Sequence, residues 1–157
     1  SWDSLKNVAY GSAFIQIHLM NGEKLHERGF RGKGMTIAVL DGGFANVDSL
    51  SAFKNVKVTG ARDFVFPRST DIYNETDHGT KVLSTMAMNA PTVYIGTAPD
   101  ASYWLLRCED QQTEQPVEED YWAMAAEFAD SVGVDIISSS LGSVSYTPLK
   151  LPTIASA

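Results

Sequence analysis

The stretch GMTIAVLDGG, residues 34–43, decides the fold class of this chain. Its apolar part, from Met35 to Leu40, contains β-branched residues and shows no clean alternation with polar ones. That pattern predicts a strand buried on both faces, as in a parallel sheet. The strand ends at Asp41, and the two glycines that follow let the backbone turn sharply out of the sheet. Because open α/β sheets carry their reactive groups at the carboxyl ends of strands, Asp41 is a candidate functional residue.

Outward from this strand, the chain alternates predicted strands and helices. Asn21-Gly22 interrupts the helical spacing of its N-terminal part, which predicts one helix, a break and then a short second helix. The last strand, helix and strand form a βαβ unit, which implies a parallel sheet with a right-handed crossover. The predicted fold class is therefore α/β, with helices on both faces of the sheet. The predicted strands are residues 35–40, 55–60, 103–107 and 134–139, and the predicted helices lie in residues 13–29, 79–89 and 117–132.

The composition is that of one globular domain with a substantial core. The chain has 157 residues, of which 44% are hydrophobic and 20% charged, and a formal net charge of -7. An acidic balance argues against nucleic acid as the main partner, since phosphate binding needs clustered Lys and Arg. No apolar stretch approaches the roughly eighteen residues that a membrane span requires. The single cysteine, Cys108, excludes an internal disulfide and is expected to be a small buried hydrophobe.

A second candidate residue, His78, lies in the tetrapeptide DHGT at residues 77–80. This position opens a predicted helix with Asp77 as its N-cap, and a helix N-terminus disfavours the imidazolium form. Gly79 is expected to keep the approach to the ring open. Taken alone, His78 also fits a surface or capping role, and Asp41 also fits a phospho-acceptor, a metal ligand or a turn cap. The two other histidines, His18 and His26, have no comparable context and are expected to be structural.

Four segments of the sequence form a larger pattern: GMTIAVLDGG at 34–43, DHGTKV at 77–82, GTAPDA at 96–101 and VDIISSSLG at 134–142. Together they resemble the subtilisin-like serine proteases, also called subtilases. They occur in the order of that family with similar spacing, and the resemblance covers residues from about 14 to 142. It implies a three-layer α/β/α fold with a mainly parallel sheet, and a secreted or cell-envelope serine endopeptidase.

The resemblance also assigns roles to individual residues. Asp41 would accept a hydrogen bond from His78, and His78 would act as the general base for a serine of an Asp-His-Ser triad. Ser140, Leu141 and Gly142 would pair as a strand with an extended polypeptide substrate. No cofactor is implied. A structural calcium, which occurs in the family, is not expected because residues 88–94 offer no carboxylate ligand.

The chain departs from the family after Gly142. Only fifteen residues follow, and Ser143, Ser145 and Ser156 lack the Gly-Thr context of the family's nucleophile. No asparagine follows Asn89 to serve as an oxyanion donor. Residues 1–157 are therefore expected to be the N-terminal part of a single peptidase domain, incomplete at its C-terminal side and inactive alone. Residues 143–157 match nothing recognised in the family.

Two alternatives to an active enzyme follow from the same residues. The chain fits a truncated, inactive subtilase relative that binds peptides or other partners without cutting them. A phospho-acceptor or phosphatase built around Asp41 is a weaker alternative, because it leaves the other three segments unexplained. In either subtilase interpretation the sheet has an unpaired edge, and such edges associate. The expected partner is the missing C-terminal half of the domain, or a second copy of this chain.

Overall fold

The computed structural model describes residues 2–112 and 116–140, with side chains from Ser4 onward. Helices and strands alternate through most of this part of the chain, and a 3₁₀ turn occupies Ser51–Phe53. The helices are α1 (Trp2–Tyr10), α2 (Phe14–Leu19), α3 (Gly22–Glu27), α4 (His78–Ala87) and α5 (Val117–Ser131). The strands are β1 (Thr36–Asp41), β2 (Lys57–Asp63), β3 (Asn89–Ala90), β4 (Tyr94–Ile95), β5 (Ser102–Arg107) and β6 (Ile136–Ser139).

The main sheet has four strands in the order β2-β5-β1-β6, and all three pairings are parallel. β1 lies between β5 and β6, so Ile37 pairs with Tyr103 on one side and with Ile136 on the other. The predicted βαβ unit is present, but its two strands lie on either side of β1. The prediction of a parallel α/β sheet is confirmed.

Both faces of β1 are buried, which explains why its sequence does not alternate. Ile37 and Val39 pack with Leu83 of α4 on one face. The alternate residues, Ala38 and Leu40, join a second core cluster with Ala125 and Ala129 of α5 on the opposite face. The sheet is thus sandwiched between helices, and the predicted three-layer arrangement is confirmed.

The N-terminal helices pack around the small β3–β4 hairpin through Tyr10, Ala13, Ile17 and Ile95. The predicted interruption lies between α2 and α3, where Asn21 adopts a left-handed φ of 55°. Helix α1 and the hairpin were not predicted; strands of two residues are too short to carry a periodicity.

The two histidines of this region are structural, as expected. The buried ring of His26 hydrogen-bonds through Nδ1 to the Tyr10 hydroxyl at 2.7 Å and through Nε2 to the Thr97 carbonyl at 2.8 Å. Nδ1 of His18 lies 2.7 Å from the buried carboxylate of Glu23. These bonds join α1, α2 and α3 to one another and to the loop before β5.

Several predicted boundaries are wrong by two residues or more, and two of these differences have a clear physical cause. The second strand covers Lys57–Asp63 rather than residues 55–60, because Gly60 does not end it. A Cβ on Gly60 would lie 2.4 Å from the Trp104 ring, so glycine admits that ring while the strand continues past a bulge. Helix α4 ends at Ala87 rather than residue 89, because Asn89 already pairs in the hairpin.

The far side of the sheet is open in the part of the chain that the structure describes. β6 pairs with β1 alone, and Ile136 and Ile137 keep 50% and 41% of their surface exposed. This matches the expected sheet, incomplete at its C-terminal side. Cys108 is buried as predicted, and burial raises the pKa of its thiol to about 12. No described helix has both the length and the apolar character needed to cross a bilayer.

Candidate active site

The carboxyl ends of the four parallel strands bring polar residues into one row. Strand register places Asp63 beside Arg107, and Arg107 beside Asp41. On the other side of β1, Leu40 pairs with Ser139, so Ser140 follows next to Asp41. This is the sheet edge at which the sequence predicted the functional carboxylate.

Asp41 is buried at the end of the central strand. Its Oδ1 accepts the Gly42 N–H at 2.6 Å. In the turn that follows, position 43 must be glycine, because a Cβ on Gly43 would lie 2.8 Å from the backbone of Thr76. Burial raises the pKa of Asp41 above its ordinary value, and the Gly42 N–H and the His78 ring offset that increase only in part.

His78 is the first residue of α4, and it reaches the Asp41 carboxylate directly. Its Nδ1 lies 2.8 Å from Oδ2 and 3.0 Å from Oδ1. The imidazole is 46% exposed whereas the carboxylate is buried, so the ring connects the sheet edge to solvent. The structure therefore brings together the two residues that the sequence proposed as catalytic partners.

The residues around His78 act differently from the sequence predictions. Asp77 makes no capping hydrogen bond and pairs with Lys81 at 3.0 Å; the Thr76 hydroxyl accepts the His78 N–H instead, at 3.3 Å. Gly79 is needed for a backbone contact rather than for access to the ring. Its N–H donates to the Gly43 carbonyl at 2.9 Å, and a Cβ would lie 2.3 Å from that oxygen. Helix α4 can thus begin directly against the turn that follows Asp41.

This geometry favours one tautomer of the imidazole. A carboxylate that accepts from Nδ1–H places the proton on Nδ1 and leaves Nε2, on the other side of the ring, as the basic nitrogen. A half-exposed ring of this kind can take a proton from a group on its solvent side, and the buried carboxylate stabilises the imidazolium that forms. The arrangement fits general base catalysis.

The predicted substrate strand is only partly within the described residues. The Ser140 N–H donates to the Leu40 carbonyl at 3.5 Å, which continues the pairing of β6 with β1. Leu141 and Gly142 lie outside the described residues. Peptide binding by residues 140–142 remains a prediction.

Sequence reasoning missed a buried ion pair in the same row. Arg107 and Asp63 are both buried, and Nη1 of Arg107 lies 3.2 Å from Oδ2 of Asp63. The available signal was Arg107 at the end of an apolar strand; Asp63 gave none, because it lies beyond the predicted end of the second strand at residue 60. In the described ranges, no three His, Cys, Asp or Glu side chains form a group that could hold a metal ion.

Comparison with known proteins identifies the family. The model of the subtilase family, Peptidase S8, matches residues 32–155. The chain belongs to the subtilase family. The match also corrects one expectation, because it continues beyond Gly142 into the segment that had no recognised counterpart. With family membership shown, nothing remains to support a phosphatase built around Asp41.

Individual relatives agree with this assignment. The chain is 29% identical over 141 residues to a thermostable alkaline protease of Halalkalibacterium halodurans, covering 89% of this chain and 35% of the relative. It is 31% identical over 140 residues to subtilisin E of Bacillus subtilis, covering 87% of this chain and 33% of the relative. This subtilase chain therefore spans about a third of the length of these curated relatives.

A solved structure shares the fold. The serine protease MycP1, described as an essential component of the type VII (ESX-1) secretion system, superposes with a TM-score of 0.62 at 25% identity. The superposition covers 86% of this chain and 38% of MycP1. The observed α/β architecture is thus that of a subtilisin-like protein.

Proposed function

We propose that residues 1–157 are the N-terminal part of a single subtilisin-like peptidase domain that hydrolyses peptide bonds as a serine endopeptidase. One observation carries this proposal. In a chain of the subtilase family, Nδ1 of His78 lies 2.8 Å from the buried Asp41 carboxylate, at the carboxyl edge of a parallel sheet. We assign Asp41 and His78 as the first two members of the Asp-His-Ser triad. A secreted or cell-envelope location belongs to the same proposal.

In the proposed reaction, Nε2 of His78 removes the proton from the serine hydroxyl as the serine oxygen attacks the substrate carbonyl carbon. Asp41 holds the ring and stabilises the imidazolium. The imidazolium then gives its proton to the departing amine as the peptide C–N bond breaks, leaving an ester between serine and substrate. A water molecule, deprotonated in turn by His78, hydrolyses that ester and frees the serine.

The serine itself is assigned to another part of the domain. Ser143, Ser145 and Ser156 lack the sequence context of a subtilase nucleophile. Without nucleophile and oxyanion donor, this chain alone is expected not to cleave peptides at enzyme rates; loss of one oxyanion donor already lowers kcat by about 10²–10³. The substrate is a polypeptide, and residues 140–142 would bind it as an added strand.

The open edge of the sheet supports association with the rest of the domain or with a second copy. Among the residues that the structure describes, β6 pairs with β1 alone, so the backbone groups on its other side have no strand partner there, and the exposed Ile136 and Ile137 lie beside them. The isolated chain should therefore elute as an oligomer or with a bound partner in size-exclusion chromatography with light scattering.

Substitution Ile137→Lys should reduce this association, because a charge on an edge strand opposes pairing. Leu19→Lys, which replaces an exposed apolar residue on α2, is the matched control and should leave it unchanged. A monodisperse wild-type monomer that melts cooperatively would contradict the proposed association.

A second candidate function is peptide binding without cleavage. The observation that favours it is that no serine hydroxyl among the described residues hydrogen-bonds to His78. An inactive relative of this kind would retain the substrate strand and the Asp41–His78 pair while lacking the covalent step.

Fluorophosphonate labelling, measured by intact mass, separates the two candidates. When this chain is isolated together with its native partners, a co-purifying polypeptide that carries the serine should gain the mass of the label. His78→Ala in this chain should slow that labelling by about 10⁶-fold, and His18→Ala should not. Labelling that is insensitive to His78→Ala would contradict the assigned base. No labelling of any polypeptide would favour the binding protein.

A further inference from the structure

Arg107 is the largest fully buried side chain of the described residues, and it ends β5 between two carboxylate-bearing strands. Its side chain is 2% exposed. Strand register places it beside Asp41 on β1 and Asp63 on β2. A guanidinium stays charged at any physiological pH, so this cation is a permanent component of the candidate active-site edge.

The guanidinium of Arg107 binds in two directions. Nε donates to the Gly42 carbonyl at 2.8 Å, and Nη1 donates to the Asp63 carboxylate at 3.2 and 3.4 Å. Asp63 is fixed in turn, since its Oδ1 accepts the N–H groups of Val65 at 2.9 Å and Phe66 at 2.8 Å. Nη2 lies more loosely near Glu75 at 3.7 Å and near Asp110 at 4.0 Å, and the Phe66 ring lies 5.4 Å from the guanidinium carbon.

The contact with Gly42 matters because Gly42 also binds the Asp41 carboxylate. Its N–H donates to Oδ1 of Asp41 at 2.6 Å while its carbonyl accepts from Arg107. Glycine can adopt more backbone conformations than any other residue, so contacts with other residues are needed to hold this turn in a single conformation. Without Arg107 the Gly42 carbonyl would lose its partner, and the Asp41 carboxylate would lose a fixed donor.

We propose that Arg107, anchored by Asp63, is a positioning residue for the Asp41–His78 pair, an inference that rests on the proposed function above. It holds the Gly42 carbonyl, Gly42 orients the Asp41 carboxylate, and Asp41 fixes the His78 tautomer. Arg107 touches neither substrate nor the reacting atoms. Its planar fork suits the task, because a lysine ammonium has no rigid geometry with which to hold the carbonyl and the carboxylate together.

The test is the imidazole Nδ1–H signal of His78, observed by proton and ¹⁵N NMR in the full 157-residue chain. A proton shared with a carboxylate resonates at low field and exchanges slowly, and His78→Ala identifies the signal by removing it. Arg107→Lys should abolish the low-field signal. The control is Tyr103→Phe, on the same strand, which removes the buried hydrogen bond from Tyr103 to the Ala98 carbonyl at 2.7 Å and should leave the signal intact.

Asp63→Asn is the second variant, in case Arg107→Lys does not fold. It keeps the Arg107–Gly42 bond but neutralises the anchor, so the signal should broaden and exchange faster without vanishing. An unchanged signal in folded Arg107→Lys, or in folded Asp63→Asn, would overturn the positioning role alone. A wild-type chain without the signal would overturn the Asp41–His78 pair itself, and with it both this role and the proposed function.

Discussion

Two buried carboxylates, Asp41 and Asp63, end parallel strands in the same row, yet their surroundings suit opposite tasks. Asp63 faces the buried guanidinium of Arg107, which never releases its proton under physiological conditions. Asp41 faces the imidazole of His78, which is half exposed and whose ring nitrogens can both accept and donate a proton. The Asp63–Arg107 pair is therefore a permanent ion pair, whereas the Asp41–His78 pair can transfer a proton.

The comparison shows that position at a strand end does not by itself make a carboxylate functional. Both residues also accept backbone N–H groups, from Gly42 in one case and from Val65 and Phe66 in the other. What distinguishes Asp41 is a partner whose ring can accept and donate a proton and is half exposed to solvent. The following substitutions test that distinction.

Arg107→Met should have the largest effect on stability, because it breaks the Arg107–Asp63 ion pair and leaves the Asp63 charge buried without its cation. Removing one member of a buried ion pair lowers the free energy of unfolding by about 3–5 kcal/mol. Urea unfolding followed by circular dichroism measures it. Lys81→Met is the control: its ion pair with Asp77 is exposed, so the change should stay within about 0.5 kcal/mol. Equal urea midpoints for Arg107→Met and Lys81→Met would show that the Arg107–Asp63 ion pair does not stabilise the fold.

Asparagine at each carboxylate should shift stability in opposite directions at pH 7. Asp63→Asn weakens charged hydrogen bonds to Arg107 and should lower the free energy of unfolding by about 1.5–3 kcal/mol. Asp41→Asn should raise it, because burial raises the pKa of Asp41 and its ionised form therefore opposes folding.

The dependence of stability on pH tests the direction predicted for Asp41→Asn. A raised pKa in the folded state means that the wild-type chain loses stability as pH rises through that pKa. The advantage of Asp41→Asn should therefore be present at pH 7 and shrink as pH falls toward the ordinary value of 3.8. Parallel urea titrations at pH 7 and pH 4 measure it. An Asp41→Asn chain less stable than wild type at pH 7 would mean that the two carboxylates serve the same structural purpose.

Gly79→Ala should have a smaller effect, by pushing His78 away from Asp41. The new methyl would lie 2.3 Å from the Gly43 carbonyl and 2.8 Å from the Phe44 ring. Overpacking of this kind lowers the free energy of unfolding by about 1–3 kcal/mol, and thermal melting measures it. Gly22→Ala is the control, because its nearest neighbour is the side chain of Ile17 at 3.0 Å; unchanged melting of both would argue against a tight α4 contact.

Much of the fold was predictable because the buried strands and α5 carry strong local patterns. β1 and β5 are apolar runs bounded by turn residues, and a strand buried on both faces needs no alternation. The misses have physical causes as well. Gly60 ends a strand by propensity but here makes room for Trp104, a contact formed only in the folded sheet.

The candidate site was predictable to the extent that its residues lie within local motifs. Asp41 follows a buried strand and His78 opens a helix, so each is visible in a few residues of sequence. Arg107 and Asp63 are far apart in the chain, and their pairing depends on the order in which strands assemble. Capping by Thr76 instead of Asp77 likewise depends on side-chain geometry that the sequence leaves open.

The strand order also determines how long β1 must exist before its neighbouring strands have been synthesised. β1 needs β5 and β6 as neighbours, and Ile37 meets Ile136 only after about a hundred further residues have been added. At about 5–20 residues per second, the central strand β1 of the nascent chain remains without its second partner for roughly 5–20 s. During that interval its backbone groups are available to any other extended segment. Biogenesis of this sheet is therefore most open to misassociation before its central strand has been enclosed.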